Sequence, residues 1–189
     1  MYASEREPFI SALDAVLLSV GFRRKRTTTE WKREEDACSE SWIHLNFGLS
    51  VINPSVGVRY ADLDAYVPPA IQMNPGAFET LSSRSGATYD SLTRPEDLAQ
   101  HVETYGLTAI GSLLNRETTT TRLMETQGPW PVFGWSARIR LLPILLAAQG
   151  RLVEAAQWLE HFEQEGLSRD QQYPKYPEFV AAFRRMHGT

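Results

Sequence analysis

The segment Ser41-Trp42-Ile43-His44-Leu45-Asn46-Phe47-Gly48-Leu49-Ser50-Val51-Ile52-Asn53-Pro54-Ser55-Val56-Gly57-Val58-Arg59-Tyr60 decides the fold. Ile43, Leu45, Phe47, Leu49 and Val51 alternate with His44, Asn46, Gly48 and Ser50, which is the period of a strand with one buried face. Asn53-Pro54-Ser55 carries turn chemistry: proline fixes φ, and Asn and Ser bond the local backbone. Val56, Val58 and Tyr60 then alternate with Gly57 and Arg59. A hairpin about residues 53–55 pairs Val51 with Val56, Leu49 with Val58 and Phe47 with Tyr60, all on one face. Continued further, the same register sets Leu45 against Asp62 and Ile43 against Asp64. From Ala61 the apolar parity moves to Ala61, Leu63, Ala65 and Val67. A β-bulge or a strand end at residues 60–62 is therefore predicted, turning both aspartates outward.

Outward from this hairpin, residues 31–67 read as antiparallel strands flanked by helices. Phe9, Ile10, Leu13, Val16, Leu17 and Val20 recur at helical spacing after Pro8, and Gly21 stops the helix. Residues 22–26 approach or form a first strand, and Trp31 marks the next. Residues 34–40 read as a polar connection. Pro68-Pro69 ends the last strand. Residues 70–91 read as mostly loop, with one edge strand near Thr88. Thr93 is placed to cap a helix that begins at Pro95 and Glu96 and runs to about Tyr105. Residues 107–114 form another helix or its continuation, while residues 118–124 are ambiguous between helix and strand.

Residues 128–135 form a Pro/Gly loop bearing Trp130, Phe133 and Trp135. Ser136 caps a helix through Leu146, which Pro143 should kink. After Gly150 a return helix covers residues 152–162, residues 173–177 are a rigid linker, and residues 178–186 form a last helix. Residues 147–156 are similar to the inter-helix turn of a tetratricopeptide repeat. A single hairpin does not make an array, which generally needs about three units.

The expected fold is therefore α+β: an N-terminal helix, an antiparallel sheet of three to four strands, and a C-terminal helical portion packed on the sheet. The 189 residues are read as a single domain, with helix and sheet over 1–67, a loop-rich connection over 68–92 and helices over 93–189. A 42% hydrophobic and 11% aromatic composition supports a core rather than global disorder. The net charge of −4 makes no general case for nucleic acid. One cysteine, Cys38, leaves no intramolecular disulfide. The N-terminal residues lack a signal core, and the longest apolar run, residues 141–148, is too short to span a bilayer. A cytoplasmic setting without membrane attachment is the expectation.

Several groups are weighed as sites. Arg23, Arg24, Lys25, Arg26, Lys32 and Arg33 could grip phosphate, or could simply block an exposed sheet edge. His44 could act as a base, yet no Ser or Cys is arranged around it. His101 follows Glu96 and Asp97 by about one helical turn, which ordinary helical pairing also explains. His161 and His187 are scattered on helices. Asp62 and Asp64 could hold a metal, but no third ligand is visible. Cys38 sits in an acidic stretch that gives a thiolate no support, so it is not offered as a nucleophile. Trp130, Phe133 and Trp135 suit an interface anchor or a seal over the core. Neither a metal nor a cofactor is implied.

The opening pattern has a family likeness. Phe9, Leu13, Leu17 and Gly21-Phe22-Arg23-Arg24-Lys25 precede Trp31-Lys32-Arg33, then Ile43-His44-Leu45-Asn46-Phe47 and Val56-Gly57-Val58-Arg59-Tyr60. This resembles the DUF4304 family of bacterial proteins and related small proteins encoded near polymorphic toxins. The likeness covers about the first third of the chain. It implies an α+β binding protein of the immunity type, neutralising a toxin by occlusion, and it carries over no catalytic residue. The expected function is thus non-catalytic binding of another protein, with a toxin domain as the candidate partner. The expected surface combines Trp130, Phe133, Trp135, Glu34, Glu35, Asp36, Asp62 and Asp64 with the 68–86 loop. The alternative is a small-ligand binder or enzyme with a pocket near His44, Arg59 and Tyr60.

Overall fold

The computed structural model describes residues 3–125, 135–166 and 175–189. The chain is α+β, with an N-terminal helix, an antiparallel sheet and a helical C-terminal portion. By contact it divides into two compact units, each built from separated segments. The first comprises Met1–Arg59 with Phe78–Asn115, and the second Tyr60–Ala77 with Arg116–Thr189.

The first unit opens with α1 (Ala3–Leu17). Phe9, Ile10, Leu13 and Leu17 of this helix are buried, as their spacing predicts. Gly21 ends the turn after it with φ +92, a conformation that a side chain at Cβ would strain. There the Phe22 N–H donates to the Leu17 carbonyl at 3.0 Å. The sheet has six strands rather than three to four: β1 (Arg23–Arg24), β2 (Glu30–Asp36), β3 (Ser39–Phe47), β4 (Val51–Tyr60), β5 (Gly76–Thr80) and β6 (Tyr89–Asp90). Their order is β1-β2-β3-β4-β5, with β6 pairing to β4. Trp31, Ile43, Leu45, Val56 and Val58 are buried on the inner face. α1 closes over it: the Trp31 Nε1–H donates to Asp14 Oδ1 at 2.7 Å, and the Phe9 and Phe47 rings lie 6.3 Å apart.

Three expectations in this region are corrected. The β3–β4 turn lies at residues 48–50, not 53–55, and the Gly48 N–H donates to the Val51 carbonyl at 2.9 Å. The earlier turn adds Ile52 and Pro54 to the buried side of β4, where the later one would have left them off the strand face. Leu49, expected inside, is therefore at the tip and 98% exposed. Residues 34–40 are not a connection but the ends of β2 and β3, joined by the two residues Ala37-Cys38. No non-glycine residue has positive φ among the described residues, so this turn lacks the left-handed twist partners that tight hairpins favour. A register shift between Glu34 and Asp36 takes up the mismatch. β5 was not foreseen, whereas the edge strand near Thr88 is β6.

The first unit continues with α2 (Leu81–Ser85), α3 (Pro95–His101), a π-helical turn (Val102–Gly106) and α4 (Leu107–Leu114). Arg94, not Thr93, is the residue before α3. α3 packs on α1, and α2 on the π-helical turn. A Cβ on Gly106 would stand 3.3 Å from Val56 Cγ1, so glycine lets this turn approach β4 closely.

In the second unit the strand does end at Tyr60, as predicted. Residues beyond it form a 3-10 helix (Ala61–Tyr66) instead of a further strand. That helix buries Leu63 and leaves Asp64 exposed. α5 (Arg116–Met124) settles the ambiguous threonine run as helix, with Thr119 and Thr120 buried. α6 (Trp135–Ala148) is buried through Ile139, Leu141, Leu142, Ile144, Leu145 and Leu146, and its second half, residues 141–148, is apolar all round. Gly150 (φ +74) ends it, with the Arg151 N–H donating to the Leu146 carbonyl at 2.8 Å. α7 (Leu152–Gly166) returns against α6, and α8 (Tyr176–His187) buries Phe179, Val180 and Phe183. Arg184 ties α8 to Glu163 of α7 at 2.9 Å. Among the described residues no helix is long and apolar enough to cross a membrane.

Candidate functional site

The site begins with two turns at one end of the sheet in the first unit. The β3–β4 turn projects Leu49, and Val51 follows it at 44% exposure. Val51 pairs with Asp90 and Ile52 with Tyr89, which ends the β4–β6 ladder. Counted two residues past its last pair, into the two turns, the same antiparallel register would set Leu49 opposite Leu92. Leu92 is 88% exposed. Its turn is held by Asp90: Oδ1 accepts the Leu92 N–H at 2.8 Å and the Thr93 N–H at 3.1 Å, while the Asp90 N–H donates to Thr93 Oγ1 at 2.9 Å. Thr93 thus braces this turn instead of capping α3. The result is a fixed backbone that presents Leu49, Val51 and Leu92 to solvent.

The outer face of the sheet continues from there. Alternation along β4 turns Val51, Asn53, Ser55, Gly57 and Arg59 outward. Trp42 of β3 and Phe78 of β5 lie on the strands to either side, with ring centroids 6.1 Å apart. Glycine at the outward position of the intervening strand leaves room for such rings to meet. Phe78 remains exposed.

The residues singled out from sequence fall elsewhere. Trp130 and Phe133 lie outside the described residues, and Trp135 opens α6. Glu34 is exposed opposite Glu40; Glu35 accepts from Arg33 at 2.8 Å and also from Ser41; Asp36 Oδ1 accepts the Cys38 N–H at 2.7 Å. These acids are in the first unit. Asp62 and Asp64 are in the second, where Arg116 grips Asp62 through two hydrogen bonds of 2.6 and 2.5 Å. That hydrogen-bonded guanidinium holds the Asp62 carboxyl below its usual pKa.

The basic run is largely spent on structure. Arg23 donates to the Leu18 and Phe22 carbonyls. Arg24 binds Asp14 at 2.7 Å and the Thr28 carbonyl at 3.1 Å. Arg33 donates to the Val20 carbonyl and lies over the Phe22 ring at 4.6 Å. Lys32 pairs with Glu40 at 2.9 Å.

His44 is half-buried opposite Glu30 and shares the outer face with Arg59, whereas Tyr60 points to the other face and is wholly buried. Burial pushes the Tyr60 hydroxyl pKa up, against its contact with Thr119 Oγ1 at 3.4 Å. His101 packs between Tyr89 and Tyr105, at 5.5 and 4.4 Å, and burial lowers its pKa. Glu96 and Asp97 turn instead to Arg94, at 3.9 and 3.6 Å. His161 faces Glu165, and His187 approaches the Tyr66 carbonyl. Among the described residues no cluster of three His, Cys, Asp or Glu side chains suits a metal.

Leu92 was not singled out from sequence. Its signal is an aliphatic residue set inside the polar turn Asp90-Ser91-Leu92-Thr93, where nothing local would bury it. No family model matches the chain, and no curated protein or solved structure is significantly similar to it.

Proposed function

We propose that this chain is a non-catalytic protein-binding module that docks a partner protein through the Leu49, Val51 and Leu92 end of the sheet. The observation that carries the reading is the exposure of Leu49 (98%) and Leu92 (88%) on turns that are braced by hydrogen bonds. Burying a leucine side chain yields roughly 1.5–3 kcal/mol, so exposed leucines on a rigid frame favour a macromolecular partner. A stable partner would cover about 800 Å² of this protein, a footprint that includes Trp42 and Phe78 readily.

The partner class is a bacterial toxin domain neutralised by occlusion, which the family likeness of the N-terminal third suggests. Glu34 and Asp36 stand at the far end of β3 from Leu49, outside this surface, while the chain's net charge of −4 favours encounter with a basic partner of that kind. The test is affinity capture from native-host extract with wild type and with Leu49→Ser/Leu92→Ser. The reading expects a protein that the wild type retains and the double variant loses. Equal retention by both proteins would defeat it.

A further inference from the structure

We infer that the second unit carries a binding pocket for a small oxyanion, formed by Arg140 of α6 and Lys175 at the start of α8. The pocket has a volume of about 330 Å³ and is lined by Ala70, Ile71, Gln72, Arg140, Lys175 and Glu178. That volume is at the lower end of the range for small-molecule sites. Its lining residues all belong to the second unit, whereas those of the docking surface proposed above belong to the first.

Two observations point to a ligand. Arg140 is half-buried, and its Nε is shielded from solvent with no hydrogen-bond partner among the described residues. A guanidinium N–H left unsatisfied in a protein costs about 1–3 kcal/mol or more, so native structures seldom keep one without a reason. Arg24, Arg33, Arg116, Arg138, Arg151 and Arg184 of this chain all have carboxylate or carbonyl partners. Tyr176, the residue after Lys175, is 5% exposed, and its hydroxyl too has no hydrogen-bond partner among the described residues.

The second observation is the charge balance of the lining. Among the described lining residues, Arg140 and Lys175 supply two cations and Glu178 one acid. A planar guanidinium and an ammonium lining one pocket, with the Gln72 amide, form a donor set suited to a phosphate or carboxylate group. The ligand class is therefore a small molecule bearing such a group, held by hydrogen bonds to Arg140 and a point charge from Lys175. Glu178 would disfavour a bulky polyanion and leave room for a single charged group.

The test is ¹H–¹⁵N NMR titration of the whole chain with inorganic phosphate and, separately, with succinate, against sodium chloride at matched ionic strength. The proposal expects saturable shifts for one or both anions at residues 70–72, 140 and 175–178. Phosphate alone or succinate alone tells which oxyanion the pocket selects. Arg140→Gln and Lys175→Gln should each weaken binding about tenfold, the loss of one charge-assisted bond. Lys175 is exposed, so its variant keeps the fold intact. No saturable binding of either anion, shifts confined to other residues, or unchanged affinity in Lys175→Gln would overturn the proposal.

Discussion

Replacing Asp14 by Asn should destabilise the fold by about 2 kcal/mol at pH 7. Asp14 holds together three elements. Its Oδ1 accepts from Trp31 Nε1 at 2.7 Å and from Arg24 Nε at 3.1 Å, and its Oδ2 accepts from Arg24 Nη2 at 2.7 Å. Trp31 is fully buried, so its indole N–H has no recourse to water. A hydrogen bond to a charged group contributes roughly 1.5–3 kcal/mol. The Asp14 side chain keeps 28% of its exposure, so the ion pair itself adds only about 1 kcal/mol more. Asn retains one acceptor for the indole and forfeits the charge, which sets the figure near the middle of that range. Urea unfolding of wild type and variant measures it.

The pH dependence supplies a second arm. The hydrogen-bonded Arg24 guanidinium holds the Asp14 pKa below its ordinary value, against the opposing effect of burial. A carboxylate with a lowered folded-state pKa contributes its stability in full above the unfolded pKa of about 3.9 and loses it as pH falls through the folded value. The stability gap between wild type and Asp14→Asn should therefore be widest at neutral pH and shrink in strong acid. A gap under about 0.5 kcal/mol at pH 7, or one unchanged in acid, would refute the assignment of Asp14 as the tie between α1, β1 and β2.

Other substitutions follow from the packing. Gly106→Val should cost about 2 kcal/mol or more in urea unfolding, because its Cβ alone already meets Val56, Val102 and Leu81 at 3.3 to 3.6 Å. Arg138→Leu should cost about 2–3 kcal/mol by the same assay, since the buried guanidinium donates to the Leu123 carbonyl at 2.7 Å and to the Glu125 carbonyl just past α5. Leu49→Ser/Leu92→Ser should leave the melting temperature nearly unchanged, with a stability effect within about 0.5 kcal/mol; marked loss of stability would mean these residues serve the fold.

The legible parts of the fold were those with a strong local period. The α1 stripe from Phe9 to Leu17 and the strand through Ile43 and Leu45 are where their alternation puts them. The parity switch after Tyr60 correctly marked a strand end, though a 3-10 helix and not a bulge performs it. The β3–β4 turn was misplaced because Asn-Pro-Ser carries stronger turn chemistry than Gly-Leu-Ser, yet pairing with β6 and burial of Ile52 favour the earlier reversal. β5 was missed because Gly76-Ala77-Phe78-Glu79-Thr80 buries Glu79, an inversion of the usual alternation. Nor does any local signal reveal that residues 60–77 join residues 116–189 in one unit. The candidate site was hidden for a related reason: Leu49 looked like core until the turn moved, and Leu92 belonged to no periodic run.

The central claim is that the Leu49–Leu92 end of the sheet is where a partner protein sits. The most direct measurement replaces Leu49, Leu92 or, as a control on α7, the exposed Val153 with a photo-crosslinking amino acid and irradiates each protein in native-host extract. The account predicts one shared covalent adduct from positions 49 and 92, competed away by unlabelled wild type, and none from position 153. Adducts of the same protein from all three positions, or none from 49 and 92, would contradict it.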